Sequence, residues 1–249
     1  MTKRVKAEIG SVPAVVITCE HGGNRVPAKY RNCFVEANDA LESHRGWDPG
    51  ALKLARGFSA ALKVPLYSSS VTRLLVELNR SRHHPRLFSE FTAELSADQK
   101  QCLLDEHWSP YRSQVERAIA TAIETSGHVV HLSVHSFTPV WDGETRRTDV
   151  GLLYDPQRNC EKEFCQRWGR ALSQSLSELC IHRNSPYRGT SDGFVTHLRR
   201  QFSENTYTGI ELEVNQKFFL PAQTTAEALA GRTSVYSAII TSFQQTLTG

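Results

Sequence analysis

The 249-residue sequence predicts an α/β fold in three layers, in which a mostly parallel sheet is flanked by helices. Helical and strand patterns alternate along the whole chain. The apolar runs are short and rich in β-branched residues, which is typical of strands buried on both faces. No repeat, linker or low-complexity stretch divides the sequence, so we expect a single domain over residues 1–249.

The composition is that of an ordinary globular protein and excludes several functional classes. Hydrophobic residues make up 39% of the chain, and the net charge of +3 is too small to indicate a nucleic-acid partner. No apolar run reaches the roughly 18 residues of a membrane span, and the charged N-terminal segment lacks the apolar core of a secretory signal. The six cysteines form no CxxC pair and are expected to be reduced thiols. We therefore predict a cytoplasmic protein, while its oligomeric state cannot be predicted.

The first half of the chain contains strands, one clear helix and a basic loop. Asp48 and Pro49 suit the N-cap and the first position of that helix, and apolar residues recur along one of its faces. The predicted elements are a strand at residues 14–18, a helix at 48–62, strands at 64–68 and 74–78, and a basic loop at 79–86.

The second half continues the alternation of helices and strands. Gly127 is expected to end its first helix. Glu211 and Glu213 occupy alternate positions of a late strand, so both side chains face the same way. The predicted elements are a helix at 96–125, strands at 128–137 and 149–154, a helix at 161–180, a turn-rich loop at 186–193, a strand at 209–215 and a helix at 225–247.

Two of the strands lead into a histidine, which points to a site at one edge of the sheet. His21 is followed by two glycines that let the backbone turn sharply, and His135 lies near the end of a later strand. The carboxyl ends of parallel strands lie on one side of a sheet, so these segments can meet. A hydrolytic zinc site needs three His, Asp or Glu ligands and a carboxylate base. We predict that His21, Asp48 and His135 hold Zn²⁺ or another first-row divalent metal, and that Glu213 is the base.

Several of these residues also have a purely structural interpretation. Asp48 could serve only as a helix cap. His131 lies about 13 Å from His135 along the strand, too far to share a metal, which favours a hydrogen-bonded core histidine. Glu20 could face away from the site in a salt bridge. The basic loop at 79–86 is either a solvated loop or a clamp that pairs arginines with a carboxylate.

Seven motifs, in order along most of the chain, resemble the N-formylglutamate amidohydrolase (formylglutamate deformylase) family. Two positions depart from the family pattern, Glu77 and Val134, where aspartate is common. The motifs are EHGGNRVP at residues 20–27, WDPGA at 47–51, TRLLVELNR at 72–80, LSVHSF at 132–137, DVG at 149–151, NSPY at 184–187 and ELEVN at 211–215.

The resemblance implies a fold similar to that of zinc exopeptidases. It also implies hydrolysis of the amide C–N bond of a small N-acylated amino acid such as N-formylglutamate, so the expected partner is a small molecule. Asn79 and Tyr187 lie in the matched motifs and are expected to contact the substrate. The α-carboxylate of the substrate is expected on Arg80, with Arg73 or Arg200 as further candidates.

Two other functions fit the same sequence features. A non-catalytic protein could bind an acidic ligand through the basic loop, with Glu213 serving only a structural purpose. The residues around the predicted metal ligands are also similar to those of zinc-dependent N-acetylmuramoyl-alanine amidases, although a cell-wall role is weakened by the missing secretory signal. For an enzyme, Glu211 and Glu20 are the alternatives to Glu213 as the base.

Overall fold

The computed structural model describes residues 13–219 and 226–248, without the side chains of 226–233. Strands and helices alternate through these ranges, as predicted. The strands are β1 (Ala14–Cys19), β2 (Leu66–Ser68), β3 (Val129–Phe137), β4 (Val140–Trp141), β5 (Glu144–Thr145), β6 (Val150–Leu153), β7 (Ile181–Arg183) and β8 (Tyr207–Asn215). The α-helices are α1 (Asn38–Glu42), α2 (Ala51–Leu62), α3 (Ala97–Leu103), α4 (Ser109–Ser126), α5 (Asn159–Ser175), α6 (Phe194–Gln201) and α7 (Ala226–Thr248).

Six strands form one sheet in the order β2-β1-β3-β8-β6-β7. The four strands β2, β1, β3 and β8 are parallel, whereas β6 runs antiparallel to β8 and parallel to β7. The prediction of a mostly parallel sheet is therefore confirmed. Because β1, β3 and β8 run the same way, their carboxyl ends lie along one edge of the sheet. Strands β4 and β5 form a separate antiparallel hairpin just after β3.

Helices cover both faces of the sheet, as the three-layer prediction requires. Alternate residues of β3 divide between the two faces. Val130, Leu132 and Val134 point to one face and pack in the core formed with α2, α5 and α7. On the opposite face, α4 and α6 pack against the sheet through a second apolar cluster. No helix in the described ranges combines the length and apolar character needed to cross a membrane.

The start of α2 differs from the prediction. The helix begins at Ala51, and Gly50 occupies the N-cap position with a left-handed φ of 85°. A Cβ on Gly50 would lie 1.9 Å from the ring of Phe219, so this position needs glycine both for its conformation and for its packing. Asp48 and Pro49 precede the helix, and the prediction that Asp48 is its N-cap is wrong.

The predicted strand at residues 74–78 is also wrong. These residues are buried, but they form successive turns and lie outside the sheet. The N–H of Leu75 donates to the carbonyl of Thr72 at 3.1 Å, and the N–H of Glu77 donates to the carbonyl of Leu87 at 2.9 Å. Turn and loop hydrogen bonds thus satisfy a buried apolar segment that has no ladder partner.

Two predicted helices have different limits in the structure. The helix predicted at 96–125 is divided by a π-helical turn, Leu104–Trp108, which joins α3 to α4. Helix α5 begins two residues earlier and ends five residues earlier than the predicted 161–180. Gly127 ends α4 in a left-handed conformation, as predicted.

Candidate active site

The three predicted metal ligands come together at the carboxyl ends of β1 and β3, beside the segment that leads into α2. Oδ2 of Asp48 lies 3.3 Å from Nδ1 of His21 and 3.0 Å from Nδ1 of His135. One ligand atom from each residue lies within 4.8 Å of the others, and all three side chains are buried. This arrangement can surround a single metal ion.

Backbone contacts hold the three segments in place. The N–H of Asp48 donates to the carbonyl of His21 at 2.9 Å, which ties the segment before α2 to the end of β1. Gly22 packs against the chain that follows β2, where a Cβ would lie 2.8 Å from the carbonyl oxygen of Ser69. The close backbone approach expected from the glycines after His21 is therefore present.

A second set of polar groups orients the two imidazoles. Nε2 of His21 donates to Oε1 of Glu77. Nε2 of His135 lies 2.9 Å from Oγ of Ser133 and 3.3 Å from Oε2 of Glu20. Hydrogen bonds to Nε2 leave Nδ1 of each ring directed at Asp48, which is the usual way in which proteins fix the tautomer of a metal-binding histidine. The donor set therefore fits Zn²⁺ or a neighbouring divalent metal.

Glu20 does not face away from the site in a separate salt bridge. Its carboxylate accepts hydrogen bonds from the hydroxyl of Tyr111 at 2.9 Å and from Oγ of Ser133 at 2.7 Å. These two donors hold the carboxylate beside His135. The side chain of Glu20 is buried and is occupied in orienting that histidine, which places it behind the imidazole.

The three carboxyl groups that contact the imidazoles are held in their ionised, carboxylate form. Burial by itself raises the pKa of Asp48, Glu77 and Glu20. The nearby imidazoles and the guanidinium of Arg73 outweigh burial and hold the pKa of Asp48 and Glu77 well below their ordinary values. His135 has the same effect on the pKa of Glu20. The centre is consequently rich in negative charge, as a cation site requires.

The pKa of Glu213 is shifted in the opposite direction, upwards. It is the register partner of His135 in the β3–β8 ladder, so backbone pairing sets their relative positions. Its Oε2 atom is buried and has no hydrogen-bond partner. Burial raises the pKa of Glu213 to about 8, and the charges of Asp48 and Glu211 act in the same direction. A buried carboxyl with a free oxygen and a pKa near neutrality is suited to proton transfer.

The site opens into a cavity of about 620 Å³, a size typical of small-molecule sites. The candidate metal triad, which consists of His21, Asp48 and His135, contributes to its lining together with Glu211 and Glu213. Arginines are numerous around it, which makes the cavity attractive to an anionic ligand despite its acidic centre. The arginines that line it are Arg45, Arg73, Arg80, Arg86 and Arg188.

The arginines considered as carboxylate ligands have different surroundings. Arg73 already pairs with Oδ1 of Asp48 at 3.2 Å and with Oε2 of Glu77 at 2.5 Å. Arg80 lines the cavity and donates to the carbonyl of Asp192, and none of the ion pairs in the described ranges involves it. Arg200 is exposed near the end of α6 and does not line the cavity, so the structure does not support the expectation that it contacts the substrate.

Asn79 and Tyr187 both line the cavity, as expected from the matched motifs. Oδ1 of Asn79 accepts from the N–H of Phe194 at 2.7 Å, and its Nδ2 donates to Oε1 of Glu211 at 3.4 Å. Asn79 thus joins the basic loop to α6 and β8. The ring of Tyr187 is 41% exposed, and its hydroxyl accepts from Nη1 of Arg146 at 2.9 Å.

Sequence reasoning missed residues that support the predicted metal ligands. Ser133 was detectable, because it lies two residues before His135 on the same strand and must share its face. The supporting role of Glu77 could not be detected, because the residue pattern around it predicts a strand instead of the turns that bring it to His21. His131 is the hydrogen-bonded core histidine that was expected: it is fully buried, with Nε2 2.9 Å from Oγ1 of Thr18.

The sequence model of the N-formylglutamate amidohydrolase family matches residues 13–220. The chain belongs to this family. Among solved structures, it is similar to gene product Atu2144 of Agrobacterium tumefaciens, with 25% identity, a TM-score of 0.74, and coverage of 94% of this chain and 91% of that chain.

A second solved structure matches the fold over a similar length. The N-formylglutamate amidohydrolase of Ralstonia eutropha JMP134 is 15% identical, with a TM-score of 0.70, and the match covers 96% of this chain and 95% of that chain. No curated protein matches the chain in sequence. The family resemblance seen in the seven motifs is confirmed, and the family supports amidohydrolase activity.

Proposed function

We propose that this chain is a metal-dependent amidohydrolase that cleaves the amide C–N bond of small N-acyl amino acids such as N-formylglutamate. The observation that carries the proposal is the convergence of two oriented imidazoles and Asp48 at one point, on the same cavity as the unpaired carboxyl of Glu213. His21, Asp48 and His135 would hold the metal. A divalent metal there would polarise the amide carbonyl and favour deprotonation of an attacking water.

Glu213 is the group that moves the proton. Its pKa of about 8 lies close enough to neutral pH for the ionised form to accept a proton from the attacking water and for the neutral form to return it to the leaving amine. The water oxygen joins the carbonyl carbon as the C–N bond breaks, which yields a carboxylic acid and a free amino acid. With an N-formyl substrate, the acid is formate.

Arg80 and Arg86 supply recognition of the substrate's carboxylate. Both line the cavity, and neither forms an ion pair with a carboxylate in the described part of the chain. An arginine fork can take a carboxylate through two hydrogen bonds. An uncharged amide would leave these guanidiniums unpaired, so the cavity is expected to select acidic ligands.

The test combines metal binding with turnover. Protein treated with a chelator is titrated with Zn²⁺, Co²⁺ or Mn²⁺ by calorimetry, and each form is assayed for amine release from N-formyl and N-acetyl amino acids. We expect binding of about one metal per chain and metal-dependent turnover. Absence of metal binding would refute the metal-dependent mechanism, and metal binding without turnover of any N-acyl amino acid would refute the assigned reaction.

Two matched variants test the role of Glu213. Glu213→Gln is expected to lower kcat by about 10²- to 10⁴-fold, the usual contribution of a general base, while it still binds metal. Glu211→Gln is the control, because Glu211 lies two residues earlier on the same face of β8 and lines the same cavity. A larger loss in Glu211→Gln than in Glu213→Gln would transfer the role to Glu211.

A further inference from the structure

The cavity has an aromatic wall that the proposed chemistry does not use. Arg146 lies among the aromatic rings of this wall. Its guanidinium carbon is 5.1 Å from the ring centroid of Tyr187, 5.2 Å from that of Trp141 and 5.5 Å from that of Phe137. His44 meets Trp141 edge-on at a centroid distance of 5.9 Å. The four rings line the same cavity as the metal triad.

Two rings of this wall are unusually exposed. Trp141 is 53% exposed and Tyr187 is 41% exposed, and no other phenylalanine, tyrosine or tryptophan in the described ranges is exposed to this degree. Exposed aromatic surface beside a cavity commonly marks a place where a ligand covers it. Arg146 holds the rings by cation–π contacts, and none of the described ion pairs includes it, so the wall is organised before a ligand arrives.

The contacts of this wall are separate from those of the basic loop. Arg80 and Ser81 are tied to Asp192 through its carbonyl and its carboxylate. None of these three residues contacts the rings around Arg146 through a hydrogen bond or ring contact within the described ranges. The cavity is therefore lined by the metal triad, by Arg80 and Arg86 of the basic loop, and by the aromatic wall, beside which Arg45 and Arg188 also lie.

The order of chemical groups in an N-acyl amino acid indicates which part of the substrate would contact each wall. The amide carbon must lie at the triad beside Glu213, and the α-carboxylate lies on the amine side of the amide, where Arg80 and Arg86 of the basic loop would bind it. The acyl group extends from the other side of the amide carbon. The acyl group would therefore contact the wall that the carboxylate does not occupy, which is formed around Trp141 and Tyr187.

We propose that the wall around Trp141 and Tyr187 is an acyl subsite, and that the chain accepts N-acyl amino acids with aromatic or bulky apolar acyl groups. This inference rests on the proposed function. A formyl group is too short to cover the exposed rings, whereas an aroyl group can stack on them and remove apolar surface from water. The cavity volume of about 620 Å³ leaves room for such a group.

Substrates that differ only in the acyl group test the subsite. The kcat/KM values of N-formyl-, N-acetyl- and N-benzoyl-glutamate are compared for the metal-loaded protein and its variants. Trp141→Ala is expected to lower the ratio of benzoyl to formyl kcat/KM by about tenfold, mainly through KM, and Trp141→Phe to keep most of it. Val140→Ala is the control, because Val140 is exposed on the same hairpin and does not line the cavity.

The outcomes separate the subsite from the reaction. Turnover of the formyl substrate without turnover of the benzoyl substrate, or an equal loss on both in Trp141→Ala, would refute the acyl subsite while amide hydrolysis stands. Calorimetry of N-benzoylglutamate with Glu213→Gln, with and without Trp141→Ala, tests the subsite independently of turnover. We expect binding about tenfold weaker without the indole, and equal affinities would refute the inference.

Discussion

Replacing His131 with glutamine is expected to change how the stability of the protein depends on pH. His131 is fully buried on β3, where Nε2 lies 2.9 Å from Oγ1 of Thr18 and Nδ1 lies 2.7 Å from the hydroxyl of Tyr207. Burial lowers the pKa of His131 to about 4, from an ordinary value of 6.5. The imidazole is therefore neutral in the folded protein at physiological pH.

The sign of the effect follows from proton binding. Between pH 6.5 and pH 4, the unfolded chain binds a proton at this histidine that the folded protein excludes, so falling pH favours unfolding. The contribution to stability is fully present above the unfolded pKa and is lost as the pH falls towards the folded value. Since one pKa unit corresponds to about 1.4 kcal/mol, the free energy of unfolding should fall by about 2 kcal/mol from pH 7 to pH 5. The loss should reach about 3 kcal/mol at pH 4.

The assay is urea unfolding followed by circular dichroism at pH 7, 6, 5 and 4, with excess chelator so that metal release does not contribute. In His131→Gln the amide cannot titrate, so its unfolding free energy should decline less steeply with falling pH than that of the wild type. Groups common to both proteins cancel in the difference. His128→Gln controls for loss of a histidine, because His128 lies just before the same strand and is only half-buried. A wild-type-minus-variant difference that is equal at pH 7 and pH 4 would refute the reasoning.

Three further changes have defined expected results. Glu20→Gln should weaken Zn²⁺ binding by about 10- to 100-fold in competition with a chelator, because it removes the carboxylate beside Nε2 of His135; unchanged affinity would contradict this positioning role. Arg80→Ala should lower kcat/KM for N-formylglutamate by about ten- to a hundredfold, and less for the analogue with an amidated α-carboxylate, whereas equal losses would show that Arg80 only supports its loop. Gly50→Ala should lower the free energy of unfolding by about 2 kcal/mol or more in urea titrations, since a left-handed φ and the ring of Phe219 both oppose a side chain there; an unchanged midpoint would contradict this account.

The convergence of His21, Asp48, His135 and Glu213 could be predicted because it depends on simple geometry. Buried parallel strands bring their carboxyl ends to one edge, and alternation along a strand determines which side chains share a face. The α/β architecture follows from the same patterns. The structure was needed to show that Asp48 is not the helix cap, because a cap and a site residue have the same local sequence before a helix.

The remaining errors concern contacts that local patterns do not encode. The buried segment around Glu77 resembles a strand in sequence, but its backbone partners are distant loop residues such as Leu87. Helix α6, Phe194–Gln201, was not among the predicted elements, so neither was the direction of its side chains. Arg199 is buried there with Glu161, whereas the adjacent Arg200 points to solvent, and neighbouring helix positions differ by about 100° in direction.

The pairing of β3 with β8 keeps the proposed metal ligand His135 and the proposed base Glu213 apart from the surface segments that we propose select the substrate. His135 and Glu213 face each other in a ladder of two nine-residue buried strands, so their spacing is set by backbone hydrogen bonds in the core. Trp141 and Arg80 lie on a surface hairpin and a loop. Insertions and substitutions are tolerated best in such connections. A designer could therefore graft new hairpins and loops onto this sheet to test other acyl groups or amino acids, and leave His135 and Glu213 where they are.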